Sequence, residues 1–167
     1  MFLRIVPMLA ALLILSACVS TPDDVNTTPS LTLDGNGMVE GTTRLRVDFG
    51  RTSASTVAAF SRVLGENPSE ISQNPECGAG PMSFARFEDG LTLNFLNGNF
   101  VGWTTTDPAI PVVDGFRPGQ PRTQMAGASF QVTTLGTEFS RTDIYGVMDD
   151  TTDTIDTIWA GTTCFFR

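Results

Sequence analysis

Residues 82–105, MSFARFEDGLTLNFLNGNFVGWTT, decide the fold. Asp89-Gly90 and Asn97-Gly98 are two-residue turn signals of the kind whose positive φ angles match the twist of paired strands. Three strands therefore run up, down and up. In the middle strand Leu91, Leu93 and Phe95 point one way while Thr92 and Asn94 point the other, so one face is core and the other is wet or covered. Trp103, near the end of the third strand, is placed to seal that core.

Upstream of this meander, Thr42 to Phe49 alternates Leu45, Val47 and Phe49 with Arg44, Arg46 and Asp48, the pattern of a half-buried strand. A helix follows. Thr52 or Ser53 caps it, Val57, Phe60, Val63 and Leu64 form one apolar stripe, Gly65 suits a left-handed stop, and Pro68 prevents continuation. Downstream, three prolines and two glycines between Thr106 and Gly119 make a connector. Pro121 to Ala128 reads as a short helical piece, and Phe130 to Thr134, Thr137 to Met148 and Thr154 to Ala160 supply further strands. In the last of these Ile155 and Trp159 alternate against Asp156 and Ile158. The expected class is α+β: antiparallel β-meander sheet or sheets with one main helix packed on them. The single domain covers 31–167, and its halves, about 31–106 and 107–167, share an element order that reads as a weak internal duplication.

All ten basic residues are arginine, and the chain contains no lysine and no histidine. Without histidine there is no imidazole base, no Ser-His or Cys-His pair and no imidazole metal ligand. Without lysine there is no Schiff base and no P-loop lysine, and no Gly-x-Gly-x-x-Gly loop is present either. The expectation is a protein without enzymatic activity and without a cofactor.

At the N-terminus, Ile5 to Leu15 is an apolar run behind Arg4, the pattern of a secretory signal. It is too short, with Pro7 near its start, for a retained membrane helix. The run closes on Leu15-Ser16-Ala17-Cys18, which resembles the lipobox of bacterial lipoproteins. The resemblance implies that residues 1–17 are a cleaved signal peptide and that Cys18 becomes the first mature residue, carrying acyl chains on its sulfur and amino group. Those chains would be the chain's contact with the membrane. Gram-negative lipoproteins with Asp after the acylated cysteine tend to stay at the inner membrane; Val19 stands there, which points to the outer membrane and its periplasmic face. The stretch VSTPDDVNTTPS that follows makes 18–30 a lipidated cysteine with a flexible tether. The order of helix and antiparallel strands is similar to that of BamE-like outer-membrane lipoproteins and of the tandem β-lactamase-inhibitor fold, in which a helix crosses a three- or four-stranded sheet. That likeness carries no residue-level motif and transfers no site.

Loss of Arg4 with the signal leaves nine arginines against eighteen acidic residues, a formal charge of −9. Such a surface repels phosphate, so nucleic acid is not expected as a partner. An envelope protein is the expected partner, in a binding or assembly role; the alternative is that the acidic chain inhibits a cationic periplasmic hydrolase such as a lysozyme.

Cys77 and Cys164 form an even pair besides the anchor and read as a disulfide. Asp149, Asp150, Asp153 and Asp156 crowd one turn and are the candidates for calcium, although the spacing lacks an EF-hand's central glycine and twelfth-position Glu. Glu88 with Asp89, Glu138 and Asp143 are the carboxylates available for acid and base work on a sugar chain. Gly127-Ala128-Ser129 lacks the flanking glycine of a nucleophile elbow. Phe84, Phe87, Phe95, Phe100, Trp103, Tyr145 and Trp159 are numerous enough for an interaction surface, although aromatics at strand spacing are more often core.

Overall fold

The computed structural model describes residues 30–88 and 90–165. In chain order the described elements begin with β1 (Leu31–Asp34), β2 (Gly37–Glu40), β3 (Arg46–Asp48) and the helix α1 (Ser53–Leu64). They continue with β4 (Glu70–Asn74), β5 (Met82–Arg86), β6 (Leu91–Leu96) and β7 (Asn99–Thr105). After the connector come β8 (Ser129–Thr133), β9 (Gly136–Arg141), β10 (Ile144–Asp149) and β11 (Thr154–Gly161).

β4 to β11 form one eight-stranded sheet in the order β4-β5-β6-β7-β11-β10-β9-β8, and its pairings are all antiparallel. It consists of two four-stranded meanders that meet along their final strands, with Trp103 opposite Ala160. The antiparallel, single-helix expectation holds, but the sheet is twice the size of the three- or four-stranded one. The cause is that β7, which would have been an edge, pairs with β11.

One face of this sheet carries the core. Leu91, Leu93, Phe95, Phe100 and Trp103 are buried there with Ile155, Ile158 and Ala160. A one-residue bulge at Val101, between the pairs Asn94↔Gly102 and Phe95↔Phe100, puts Phe100 and Trp103 on the same face. The cover over this face is the three-stranded sheet β1-β2-β3 together with α1 and the connector. Phe100 sits edge-on to both Phe49 and Phe60, at 5.0 and 5.8 Å between ring centroids. The indole N–H of Trp103 donates to the Asp34 carbonyl at 2.9 Å, so the large ring that seals the core also ties the cover to the sheet.

The helix follows its sequence signals: Thr52 caps it, and Gly65 ends it in the left-handed region at φ 77°. The Ser53 N–H donates to the Gly98 carbonyl at 2.8 Å, which anchors the helix start to the β6–β7 turn. That turn has Asn97 and Gly98 at φ 51° and 76°, as the Asn-Gly pair predicts. At the other expected turn Asp89 lies outside the described residues. The Phe87 N–H donates to the Leu91 carbonyl and the Gly90 N–H to the Phe87 carbonyl, so the connection is wider than the expected two residues.

Five stretches differ from expectation. The strand read over Thr42 to Phe49 shrinks to Arg46–Asp48, because the Glu40 carboxylate accepts bonds from the Thr42 and Thr43 N–H groups at 2.8 and 2.5 Å and from the Thr43 hydroxyl, which pulls the chain into a turn. The segment Thr137 to Met148 is two strands broken at Thr142, φ 54°. The helical piece at Pro121 to Ala128 is only a 3-10 turn at Arg122–Gln124. The β1–β2 hairpin and β4 were not anticipated.

Gly146 is required by packing. A Cβ there would lie 2.2 Å from the Phe139 ring, which crosses the strand at that point.

Candidate functional site

The face of the large sheet opposite the core presents a transverse row. Cross-strand pairing lines up Glu70, Arg86, Thr92, Thr104, Trp159, Tyr145, Ser140 and Ser129. The C-terminal segment lies over part of this face. The Thr162 N–H donates to the Val101 carbonyl at 2.8 Å, and the buried Asn94 amide donates to the Thr162 carbonyl at 3.2 Å. Gly102 lets the segment approach, since a Cβ there would meet the Thr162 carbonyl oxygen at 2.4 Å. Cys77 and Cys164, with Cα atoms 5.1 Å apart, form a disulfide over Met82 and Phe84. Between this tail and the strands is a groove of about 620 Å³ lined by Glu70, Arg86, Thr92, Thr104 and Phe165. Glu70 and Arg86 are 3.4 Å apart in it and both half exposed. The Phe165 ring stands edge-on to Trp159 at 4.8 Å, and Trp159 stacks on the half-exposed Tyr145 at 6.4 Å.

The second groove lies on the core side, at the sheet's β4 end. Ile71 pairs with Ala85, and Ala85 with Leu93, so the pleat puts all three side chains on the core face. Ala85 and Leu93 are fully buried, yet Ile71 is 66% exposed. The cover stops short of the last strand. The space left between Ala54, Val57 and Ala58 of α1 and Ile71 and Gln73 of β4, with Phe95 also in the lining, is a groove of about 670 Å³. Its lining carries no charged residue. β4 is also the terminal strand, so alternate backbone N–H and C=O groups face away from β5.

The residues singled out from the sequence are dispersed. Residues 1–17, Cys18 and the tether up to residue 29 lie outside the described residues. Asp149 accepts bonds from the Thr151 N–H at 2.8 Å and the Thr152 hydroxyl at 2.9 Å, and these, the Thr151 bond foremost, hold its carboxyl below the usual carboxylate range. Asp153 takes the left-handed conformation at φ 53° and pairs with the Arg122 guanidinium at 2.9 Å. Asp156 accepts from the Thr157 hydroxyl at 2.7 Å. Together with Asp150 they serve as turn and surface carboxylates. Among the described residues no group of three or more His, Cys, Asp or Glu side chains is gathered as a metal would need.

Glu88 sits before β6 and Glu138 on β9, with β7, β11 and β10 between them. At roughly 4.8 Å per strand, that separates them by about 19 Å along the sheet, well over the roughly 5 to 10 Å between paired glycosidase carboxylates. Asp143 is at the far end of β9, about 13 Å of strand from Glu138. Ser129 is an exposed strand-start residue. Of the seven aromatic side chains, Phe84, Phe87, Phe95, Phe100, Trp103 and Trp159 are buried, and Tyr145 is the one that reaches solvent.

Ile71 and the outer side of α1 were missed. The available signal was the run between Pro68 and Pro75, too short to show a period.

No family model matches the chain, and no curated protein matches it. Among solved structures, the uncharacterized protein yfeY from Escherichia coli overlays 80% of this chain and 99% of its own with a TM-score of 0.47 and 15% identity. An overlay that loose bears on neither fold nor function.

Proposed function

We propose that this protein is a non-enzymatic binding or assembly module, held by acyl chains on Cys18 at the periplasmic face of the outer membrane, with an envelope protein as its partner. The lipobox-like Leu15-Ser16-Ala17-Cys18 supports the address. The observation that most supports a binding role is the sheet itself, which ends at β4 in a terminal strand beside an uncharged groove. Residues 18–30 would then act as a spacer that lets this edge turn freely above the lipid.

Metabolic labelling with palmitate tests the anchor. The native chain should take up label and fractionate with the outer membrane, and Cys18→Ala should do neither. Label in Cys18→Ala, or a native chain found in the soluble fraction, would overturn the assignment. The binding role is tested by affinity capture from detergent-solubilised envelope with the lipidated protein. It predicts a defined membrane-protein partner, and a bait that enriches none argues against it.

A further inference from the structure

We infer that the β4 edge and the adjoining α1 groove form a docking site for one extended, basic segment of a partner protein, which adds as a ninth strand to the large sheet. The inference rests on the binding-module reading and specifies the occupant.

Three observations select a strand. The site has an edge that offers main-chain hydrogen bonds along Glu70–Asn74. Beside that edge, on the core side, lies the apolar groove. A strand added outside β4, about 4.8 Å away, would send every second side chain toward that groove and the others toward the polar face that carries Glu70 and Ser72. The lining of Ala54, Val57, Ala58 and Ile71 suits aliphatic side chains on the inward positions.

Charge selects a basic segment. Glu66 lies in the link from α1 to β4 and Glu76 follows β4, so carboxylates bracket the edge at both ends, while Glu70 at the start of β4 is shared with Arg86 at 3.4 Å. The whole chain has a formal charge of −8, which draws cationic partners and opposes pairing with a second copy of itself. The expected segment therefore alternates aliphatic residues with lysine or arginine.

The test uses the full lipidated protein in detergent micelles and a short fluorescein-labelled peptide alternating valine with lysine. The peptide should bind, and its affinity should fall as salt rises. On binding, amide exchange should slow within Glu70–Asn74 and not within Ser129–Thr133. Ile71→Glu and Ala58→Arg both alter exposed positions, which keeps the fold intact, and each should weaken binding by about tenfold or more. Val132→Glu at the opposite edge should leave it unchanged.

Equal binding by Ile71→Glu and the native chain would overturn the proposal, as would protection at Ser129–Thr133 or no binding at all. Protection of β4 that rises with protein concentration in the absence of peptide would also overturn it, in favour of a self-paired dimer. Cys18→Ala separates the two readings: if it keeps both membrane association and the peptide, the anchor assignment fails and the docking site stands.

Discussion

β4 and β8 are the two outer strands of one sheet, and each carries an apolar residue on the core side that the cover does not reach. Ile71 on β4 is 66% exposed and Val132 on β8 is 80% exposed. The two ends are finished differently. At β8 the guanidinium of Arg122 lies 4.6 Å from the centre of the Phe130 ring and is itself held by Asp153. At β4 the helix stands back and leaves a groove, while the disulfide fastens the chain just beyond the strand. A cover of one helix and three short strands is narrower than eight strands, so both ends must be uncovered. The difference teaches that one end is capped by a side chain while the other is stapled in place and left open.

The strongest way to break the comparison is to remove the staple. Replacing both Cys77 and Cys164 by serine frees a link across 87 positions, a loss of about 4 to 5 kcal/mol in the chain-entropy account. Denaturant midpoints should drop accordingly, and amide exchange should quicken more along β4 than along β8. Phe139→Ala should act at the other end. Phe139 is buried, sits edge-on to Phe116 at 5.5 Å and contacts Phe130 at 6.4 Å, so its loss should cost about 3 to 4 kcal/mol and loosen β8 and β9 first.

A smaller effect is expected from Arg122→Ala, about 0.5 to 1 kcal/mol from the exposed ring contact. Its sharper readout is association. β8 has the sequence SFQVT, with no charge and no proline to deter pairing, so uncapping Phe130 should produce concentration-dependent dimers in sedimentation. A variant that stays monomeric would show that the guanidinium is not what protects this edge.

The last effect touches both ends alike, because it lies in the cover. Bonds from Thr43, its hydroxyl foremost, and from Thr42 lower the Glu40 carboxyl from its ordinary 4.5 to about 2. A carboxyl depressed on folding contributes stability that is fully present above its unfolded value and is lost as pH falls toward 2. Acid titration of the native chain should show that limb, and Glu40→Gln should flatten it without favouring either edge.

The centre of the sheet was legible in the sequence and its ends were not. Leu91 to Phe95 alternate cleanly because one face is wholly buried, and the Asn97-Gly98 turn has few other uses. α1 was readable because its cap, stripe and stop agree. β4 gave no period, since its inward residue Ile71 is barely covered and six residues between prolines resemble a loop. The β1–β2 hairpin was hidden beside the tether, and the Thr42–Phe49 alternation misled because a single carboxylate, Glu40, outbids the strand pattern at Thr42 and Thr43. Of the site, the cysteine pair and the acidic character could be read. The groove could not, because it arises from the mismatch in width between two layers distant in sequence.

The meeting of the two meanders along β7 and β11 also sets an order of assembly. β11 is near the middle of the sheet yet is the last of the described strands in chain order. Until it arrives, β7 is a bare margin and Cys77 has no mate, so the first half waits as an unfinished sheet while some fifty residues are added. A chain cut off before Thr154 would therefore lack the keystone of the arch, and it would fare worse than one that lost its outermost strand.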